Sequence, residues 1–248
     1  MQKKIRVGAV SYLNTKPLIF GFEQGKMEGK MDLILDYPSH LSSLLQKNKL
    51  DIALLPVASI SSIIDAQIIG KYCIGTHRKV ASVALYSQVP IEDIQQIYLD
   101  YQSRTSIALL RILLRNFWHV RPSLFEGDEN YITQIKDKNA GLIIGDRALE
   151  NNNKFPYIYD LAEAWNEHTQ LPFVFAAWVA NKEIDASFIE EFNEANAMGL
   201  QHLDTIIANN PFPLYDLKTY YTENISYHLD DDMQKGLTMF LKLLAEMN

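Results

Sequence analysis

"IRVGAVSYLNTKPLIFGFEQ" (residues 5–24) reads, in order, as an apolar run, a polar loop and a second apolar stretch with helical spacing. The first run predicts a buried strand. The last predicts a helix, because Pro17 is favoured in a first helical turn, where its missing N–H would have no partner anyway. The loop between them holds five hydrogen-bonding side chains: Ser11, Tyr12, Asn14, Thr15 and Lys16.

Two interpretations of this loop are open. In one, Thr15 or Lys16 caps the following helix and Asn14 satisfies a turn. In the other, the loop is part of a ligand site, because a cap needs one polar side chain and functional side chains concentrate on loops of this kind. We favour the ligand site, since the loop offers more polar groups than a cap uses.

The same strand-to-helix unit recurs along the first hundred residues. Alternation of this kind predicts parallel strands joined by helical crossovers, hence an α/β lobe. The predicted strands are "IRVGAV", "MDLILDYP" and "DIALLP", and the predicted helices are "PLIFGFEQ", "SHLSSLLQKNK" and "VASISSIID".

A second α/β alternation follows a predicted strand at residues 80–88 and closes with a long buried strand at residues 171–181. The remaining residues have helical periodicity and are expected to return to the first lobe. The predicted division places residues 1–86 and 180–248 in lobe 1 and residues 87–179 in lobe 2. This predicts a two-lobed α/β fold with two hinge strands and a ligand cleft between the lobes.

Ligands of open α/β sheets bind beyond the carboxyl ends of the strands, where helix N-termini face them. This rule selects four loops: Ser11 to Lys16, Pro56 to Ala58, Ser103 to Ser106, and Gly145 to Arg147.

Ser103 to Ser106 precede a strongly apolar helix. Ser103 is a candidate N-cap, and the N–H groups behind it, with Thr105 and Ser106, suit a carboxylate or phosphate. Arg104 adds a charge that either binds such an anion or faces solvent. An ordinary cap explains the same residues, and both interpretations stay open.

Asp146 follows a glycine at the end of a predicted strand. It is a candidate general acid or base, a group that orients a hydrogen-bond donor, or simply a cap of the helix that starts near Arg147. Ser82 lies in the predicted hinge strand and reaches the groove only if it is on the correct face, because strand side chains alternate.

The bulk composition excludes several classes of protein. A formal charge of −7, from 30 acidic and 23 basic residues, argues against nucleic acid or an anionic membrane as the main partner. Cys73 is the single cysteine, so no disulfide framework is expected, and its apolar surroundings predict an inert core residue. The histidines have no metal-binding spacing, and neither a phosphate-binding loop nor a dinucleotide motif is present. Without an export signal or a membrane span in the sequence, we expect a soluble cytoplasmic protein.

Four segments occur together in an order that resembles the chorismate dehydratases of the futalosine route to menaquinone: "VSYLNTKPL", "SRTSIALLRILL", "LIIGDRAL" and "TQLPFVFAAW". The resemblance covers most of residues 5–181 and departs at Gln170, where the family commonly has glycine. It implies a periplasmic-binding-protein-like fold of type II. The related 1,4-dihydroxy-6-naphthoate synthases share the fold but open with a Pro-Asn-Asp-Thr-type run that this chain lacks, so they are the second choice.

The resemblance implies loss of water from chorismate to give 3-[(1-carboxyvinyl)oxy]benzoate, with no redox cofactor. The family motif, matched here by "VSYLNTKPL", implies that Asn14 lies near the reacting carbons of the substrate. With the strand-end rule it assigns Ser11, Tyr12, Ser82 and the residues from Ser103 to Ser106 to substrate binding. The base is either a carboxylate of the substrate or Asp146. A non-catalytic protein that binds a small acid stays the alternative from another class.

Overall fold

The computed structural model describes residues 4–101 and 103–247. Its strands are β1 (Ile5–Ala9), β2 (Met31–Leu35), β3 (Ile52–Pro56), β4 (Gln67–Thr76), β5 (Val83–Ser87), β6 (Gln96–Leu99), β7 (Ser123–Glu126), β8 (Asn139–Ile144), β9 (Tyr157–Asp160), β10 (Phe173–Ala180) and β11 (Ser226–His228). Its α-helices are α1 (Lys16–Glu23), α2 (Pro38–Gln46), α3 (Arg104–Asn116), α4 (Asp146–Glu150), α5 (Leu161–Thr169), α6 (Ala186–Gln201), α7 (Leu203–Asn209), α8 (Leu217–Thr219) and α9 (Asp231–Ala245).

The chain forms two compact units. Unit 1 comprises residues 1–75 and 174–230, and unit 2 comprises residues 76–173 and 231–248. The chain therefore passes between the units near residues 75, 173 and 230, whereas the sequence placed two crossings near 86 and 180.

Unit 1 is built on a sheet with the strand order β11-β4-β10-β3-β1-β2. β1 pairs in parallel with β2 and with β3, as the alternating pattern predicts. β10 runs antiparallel to β3, with Trp178 opposite Leu54. Apolar residues of α2 and β3, among them Leu41, Leu45 and Leu55, pack into one buried core cluster.

The crossing of α1 and α6 fixes the helix that follows the Ser11 to Lys16 loop. A Cβ atom on Gly199 would lie 1.8 Å from the carbonyl oxygen of Pro17, so only glycine lets the two helices approach this closely. The tight contact sets the position of the first turn of α1 against α6.

Unit 2 is built on a sheet with the order β7-β6-β8-β5-β9. β6 is parallel to β7 and to β8, while β5 is antiparallel to β8 and β9. The carboxyl ends of β6 and β8 and the start of β5 consequently meet at one edge of this sheet. The predicted loops Ser103 to Ser106 and Gly145 to Arg147 both leave from that edge.

Some elements differ from the expectations. β4 and β9 were not predicted. The region expected to be entirely helical contains the strand β11. This strand could not be predicted, because the three residues "SYH" are too few to show the alternation of a strand. The last helix, α9, belongs to unit 2 rather than to the first lobe. In unit 2, Phe240 of α9 packs edge-on against Trp165 and Phe173. The sequence could not predict this, because the apolar face of a helix does not specify which core it packs against.

Candidate functional site

The loop behind β1 in unit 1 has more polar groups than its capping uses. Tyr12 and Thr15 stand at the starts of a 3₁₀ turn (Leu13–Thr15) and of α1, yet within the described residues neither side chain makes a capping hydrogen bond. Ser11 is exposed, and Tyr12 and Asn14 are half-buried. The capping interpretation of Thr15 is therefore wrong, because the helix starts through Pro17 and the preceding turn instead.

Two tyrosines hold the backbone of this loop. Tyr221 donates its hydroxyl to the carbonyl oxygen of Leu13 at 3.1 Å, and Tyr227 donates to that of Asn14 at 3.0 Å. Burial, followed by the neighbouring phenols, raises the pKa of Tyr227 well above 10, so it stays a donor at neutral pH. These two hydrogen bonds fix the loop through its backbone carbonyl oxygens and do not involve the side-chain amide of Asn14.

The N-terminus of α3 in unit 2 has the predicted cap. The Ser103 hydroxyl oxygen accepts from the backbone N–H of Ser106 at 3.1 Å and donates to the Ser106 hydroxyl at 2.7 Å. Thr105 and Ser106 are almost fully buried, whereas Arg104 is exposed. This arrangement fits an ordinary cap and an anion-binding helix start equally well.

Ser82 and Asp146, which are 64 positions apart in the sequence, lie close together in unit 2. The Gly145 N–H donates to the Ser82 carbonyl oxygen at 2.8 Å. Gly145 has φ 64 and ψ −147, a conformation that glycine alone adopts readily, and it turns the chain from β8 into α4. Asp146 is the first residue of α4, and Gly145 occupies the N-cap position. The interpretation of Asp146 as the helix cap is therefore wrong.

The segment carrying Ser82 is strained. Ala81 has a φ of 61, and the N–H of Ser82 donates to the carbonyl oxygen of Val80 at 2.7 Å, which closes a three-residue turn of a rare type. The observed strand begins at Val83, so Ser82 lies in this turn and not in the predicted strand. Backbone strain of this kind clusters at functional sites.

The buried carboxylate of Asp160 stabilises that turn. It accepts from the Ala81 N–H at 2.7 Å with one oxygen, and from the N–H groups of Ala162 and Glu163 with the other. Burial raises the pKa of Asp160 to about 6, against the opposing effect of the hydrogen bonds from Glu163 and Ala81.

Sequence reasoning missed an ionic cluster beside the predicted loops. Asp100, fully buried at the end of β6, accepts from Arg147 Nη2 at 2.6 Å and from the Tyr131 hydroxyl at 2.8 Å. The guanidinium of Arg147 also lies 5.2 Å from the centre of the Tyr101 ring. A signal was present in the sequence, since Asp100 ends the run "IQQIYLD" with which the second α/β alternation begins, but its partners are distant in the chain.

Among residues 4–101 and 103–247, no group of three or more His, Cys, Asp or Glu side chains is placed to hold a metal ion. Within the same residues no helix is long and apolar enough to cross a membrane. Cys73 is buried as predicted, and burial raises the pKa of its thiol, which keeps it protonated and unreactive.

Residues 5–246 match the menaquinone biosynthesis family. The chain belongs to this family. Among curated proteins it is similar to the chorismate dehydratase of Thermus thermophilus, at 27% identity over 67% of this chain and 69% of that protein. It is also similar to the chorismate dehydratase of Campylobacter jejuni, at 28% identity over 48% of this chain and 55% of that protein.

Solved structures place this member of the family among periplasmic-binding-protein folds. A protein from Archaeoglobus fulgidus matches with a TM-score of 0.71 at 15% identity, covering 98% of this chain and 97% of that one. The periplasmic aliphatic sulphonate binding protein of Escherichia coli matches with a TM-score of 0.67 at 14% identity, covering 99% and 93%. The predicted fold class is confirmed, and these likenesses bear on the fold alone.

Proposed function

We propose that this protein is a chorismate dehydratase, a hydro-lyase that converts chorismate into 3-[(1-carboxyvinyl)oxy]benzoate for menaquinone synthesis in the cytoplasm. The observation that carries the proposal is the family match over residues 5–246, joined by the similarity to the Thermus thermophilus enzyme. The order of the sequence motifs supports the same conclusion.

The chemistry defines what the protein must supply. Removing the ring hydroxyl and one ring proton makes the ring aromatic, so the driving force lies in the substrate. The protein has to hold two carboxylates, assist the departing hydroxyl and place a base near the ring proton.

In unit 2 the start of α3 is assigned to one carboxylate. The backbone N–H groups at a helix start carry partial positive charge, and Thr105 and Ser106 add hydroxyl groups there. Ser103 fixes this turn through its capping bond, and Arg104, exposed beside it, adds a positive charge. Ser82, held in the strained turn at the same edge of the sheet, is assigned to positioning the substrate.

In unit 1 the assignments are Ser11 and Tyr12 to binding and Asn14 to the reaction itself. A neutral amide is a very poor base, so Asn14 orients the substrate or donates a hydrogen bond to it. The proton goes to a carboxylate of the substrate or to Asp146.

The deciding experiment incubates the purified protein with chorismate and follows the appearance of an aromatic product lighter than chorismate by one water. Formation of that product, abolished in a boiled sample, supports the proposal. Binding of chorismate without conversion would overturn it in favour of a small-acid-binding protein.

The Asp146→Asn variant separates the two candidate bases. If Asp146 takes the proton, kcat falls by roughly 10²- to 10⁴-fold, the range typical of general-base loss. Turnover within a few-fold of wild type assigns the proton to the substrate's own carboxylate.

A further inference from the structure

A cavity of about 530 Å³ opens on unit 2 between the second half of α3 and the edge strand β7. This volume is within the range of small-molecule sites. Its wall includes the partly or fully buried apolar side chains of Leu114, Val120 and Leu124. The cavity therefore offers an apolar surface that a ligand body of modest size would cover.

Three arginines surround this apolar surface: Arg111, Arg115 and Arg121. All three side chains are exposed, and none of the described residues that line the cavity is acidic. The ion pairs found within the described residues involve none of them. A cluster of unneutralised positive charge thus stands on a chain whose formal net charge is −7.

The arrangement has an electrostatic cost that helix stability does not explain. Arg111 and Arg115 are four residues apart on α3, where like charges repel. The negative end of the helix dipole favours Arg115, which is in the last turn. It does not account for Arg111, or for Arg121 beyond the helix.

The wall of the cavity is preformed. The N–H groups of Trp118 and Val120 donate to the carbonyl oxygens of Leu113 and Leu114, and His119 adopts the left-handed conformation that such a helix end requires. The segment leading to Arg121 is thereby fixed by main-chain hydrogen bonds, which lowers the ordering cost of binding.

We propose that this cavity binds a small organic dianion with an apolar body, either a dicarboxylate or a phosphate monoester. The guanidinium groups bind the anionic oxygens, because Arg matches carboxylate and phosphate geometry with paired N–H donors. The apolar wall covers the body of the ligand. The cavity lies apart from the start of α3, which the proposed reaction assigns to a carboxylate, since Arg111 and Arg115 are roughly 10 and 16 Å along the helix from Arg104 at 1.5 Å per residue.

Calorimetric titration with phenyl phosphate tests the proposal, with inorganic phosphate as the probe that lacks an apolar body. Wild-type protein is expected to bind phenyl phosphate with a Kd of about 1 mM or below, and at least about tenfold tighter than inorganic phosphate. The Arg111→Gln/Arg115→Gln double variant is expected to lose at least about tenfold in affinity. Circular dichroism verifies that this variant is folded.

The matched control is Arg78→Gln, which removes an exposed arginine elsewhere in unit 2 and should leave the affinity unchanged. Unchanged binding in the double variant overturns the proposal, because the ligand then binds elsewhere. Equal weak binding of both probes that disappears at physiological salt also overturns it and indicates an adventitious ion only. Chorismate turnover, measured in parallel without probe, should be the same in all three proteins.

Discussion

Arg147 donates from Nη2 to the Oδ2 atom of Asp100 across 2.6 Å, although 47 positions separate the two residues in the sequence. Asp100 is fully buried, while the Arg147 side chain keeps 27% of its surface exposed. The pair therefore links the carboxyl end of β6 to the first turn of α4, which follows β8, and the predicted site loops of unit 2 leave from β6 and β8.

Removing Arg147 should strongly destabilise the protein. Arg147→Met leaves a buried carboxylate with the Tyr131 hydroxyl but without its cation, and we expect a loss of about 2–3 kcal/mol in the free energy of unfolding. Lys4→Met breaks an exposed pair with Asp32 and should cost less than about 1 kcal/mol. Urea unfolding of both variants measures the difference; equal costs would show that Asp100 does not depend on Arg147.

This pair also shows what the sequence leaves hidden. Alternating strand and helix patterns are local, so β1, β2, β3 and α3 could be predicted from neighbouring residues. The contact between Asp100 and Arg147 depends on the pairing of β6 with β8, which no local pattern specifies.

The same reasoning explains which site predictions could be made. Ser103 could be identified as a cap because its partner is three residues away. The position of Ser82 in a strained turn could not be predicted, because that turn is held by the buried carboxylate of Asp160, which is distant in the sequence.

Asp160 should give stability a pH dependence of unusual sign. Its pKa is raised from the ordinary 3.8 to about 6, so the native state binds the proton more tightly than the unfolded state does. Its contribution to stability is fully present below pH about 4 and is lost as the pH rises through about 6, a change on the order of 3 kcal/mol.

The measurement is the difference in unfolding free energy between wild type and Asp160→Asn, followed from pH 4 to pH 8. Asp185→Asn is the control, since Asp185 also caps a helix but is exposed, and its hydrogen bonds from Ser187 lower its pKa. Its contribution is present above its unfolded pKa and is lost only on acidification below about pH 4. Between pH 4 and pH 8 the Asp185→Asn difference should therefore stay nearly constant, while the Asp160→Asn difference changes. Parallel curves would contradict the burial of a charged Asp160.

Gln170 is expected to be a site of easy stabilisation. It ends α5 in the left-handed conformation, with φ 58, which costs a residue with a Cβ about 1 kcal/mol. Gln170→Gly should therefore raise the free energy of unfolding by about 0.5–1 kcal/mol, even though it removes a hydrogen bond to the Glu167 carbonyl oxygen. Gln24→Gly makes the same change at the end of α1, where φ is −83, and should instead lower stability. Thermal melts of both variants provide the measurement.

Asn14→Ala should lower the turnover of chorismate without lowering the stability of the protein. The contact between the Asn14 amide oxygen and the Thr15 hydroxyl is 3.4 Å long, so its loss should hardly change the unfolding midpoint. If Asn14 orients the substrate or donates to it, kcat for chorismate falls by about 100-fold or more. Asn153→Ala, an exposed asparagine of unit 2, serves as the matched control.

Tyr227→Phe extends this prediction to the backbone of the loop. It removes the hydroxyl that donates to the Asn14 carbonyl oxygen at 3.0 Å and leaves the amide in place. We expect a smaller fall in kcat, about tenfold, because a less fixed loop places Asn14 correctly only part of the time. Steady-state kinetics of both variants give the order of effects. Full turnover by Asn14→Ala would remove Asn14 from the reaction, and a larger loss in Tyr227→Phe than in Asn14→Ala would assign the effect to the loop backbone instead.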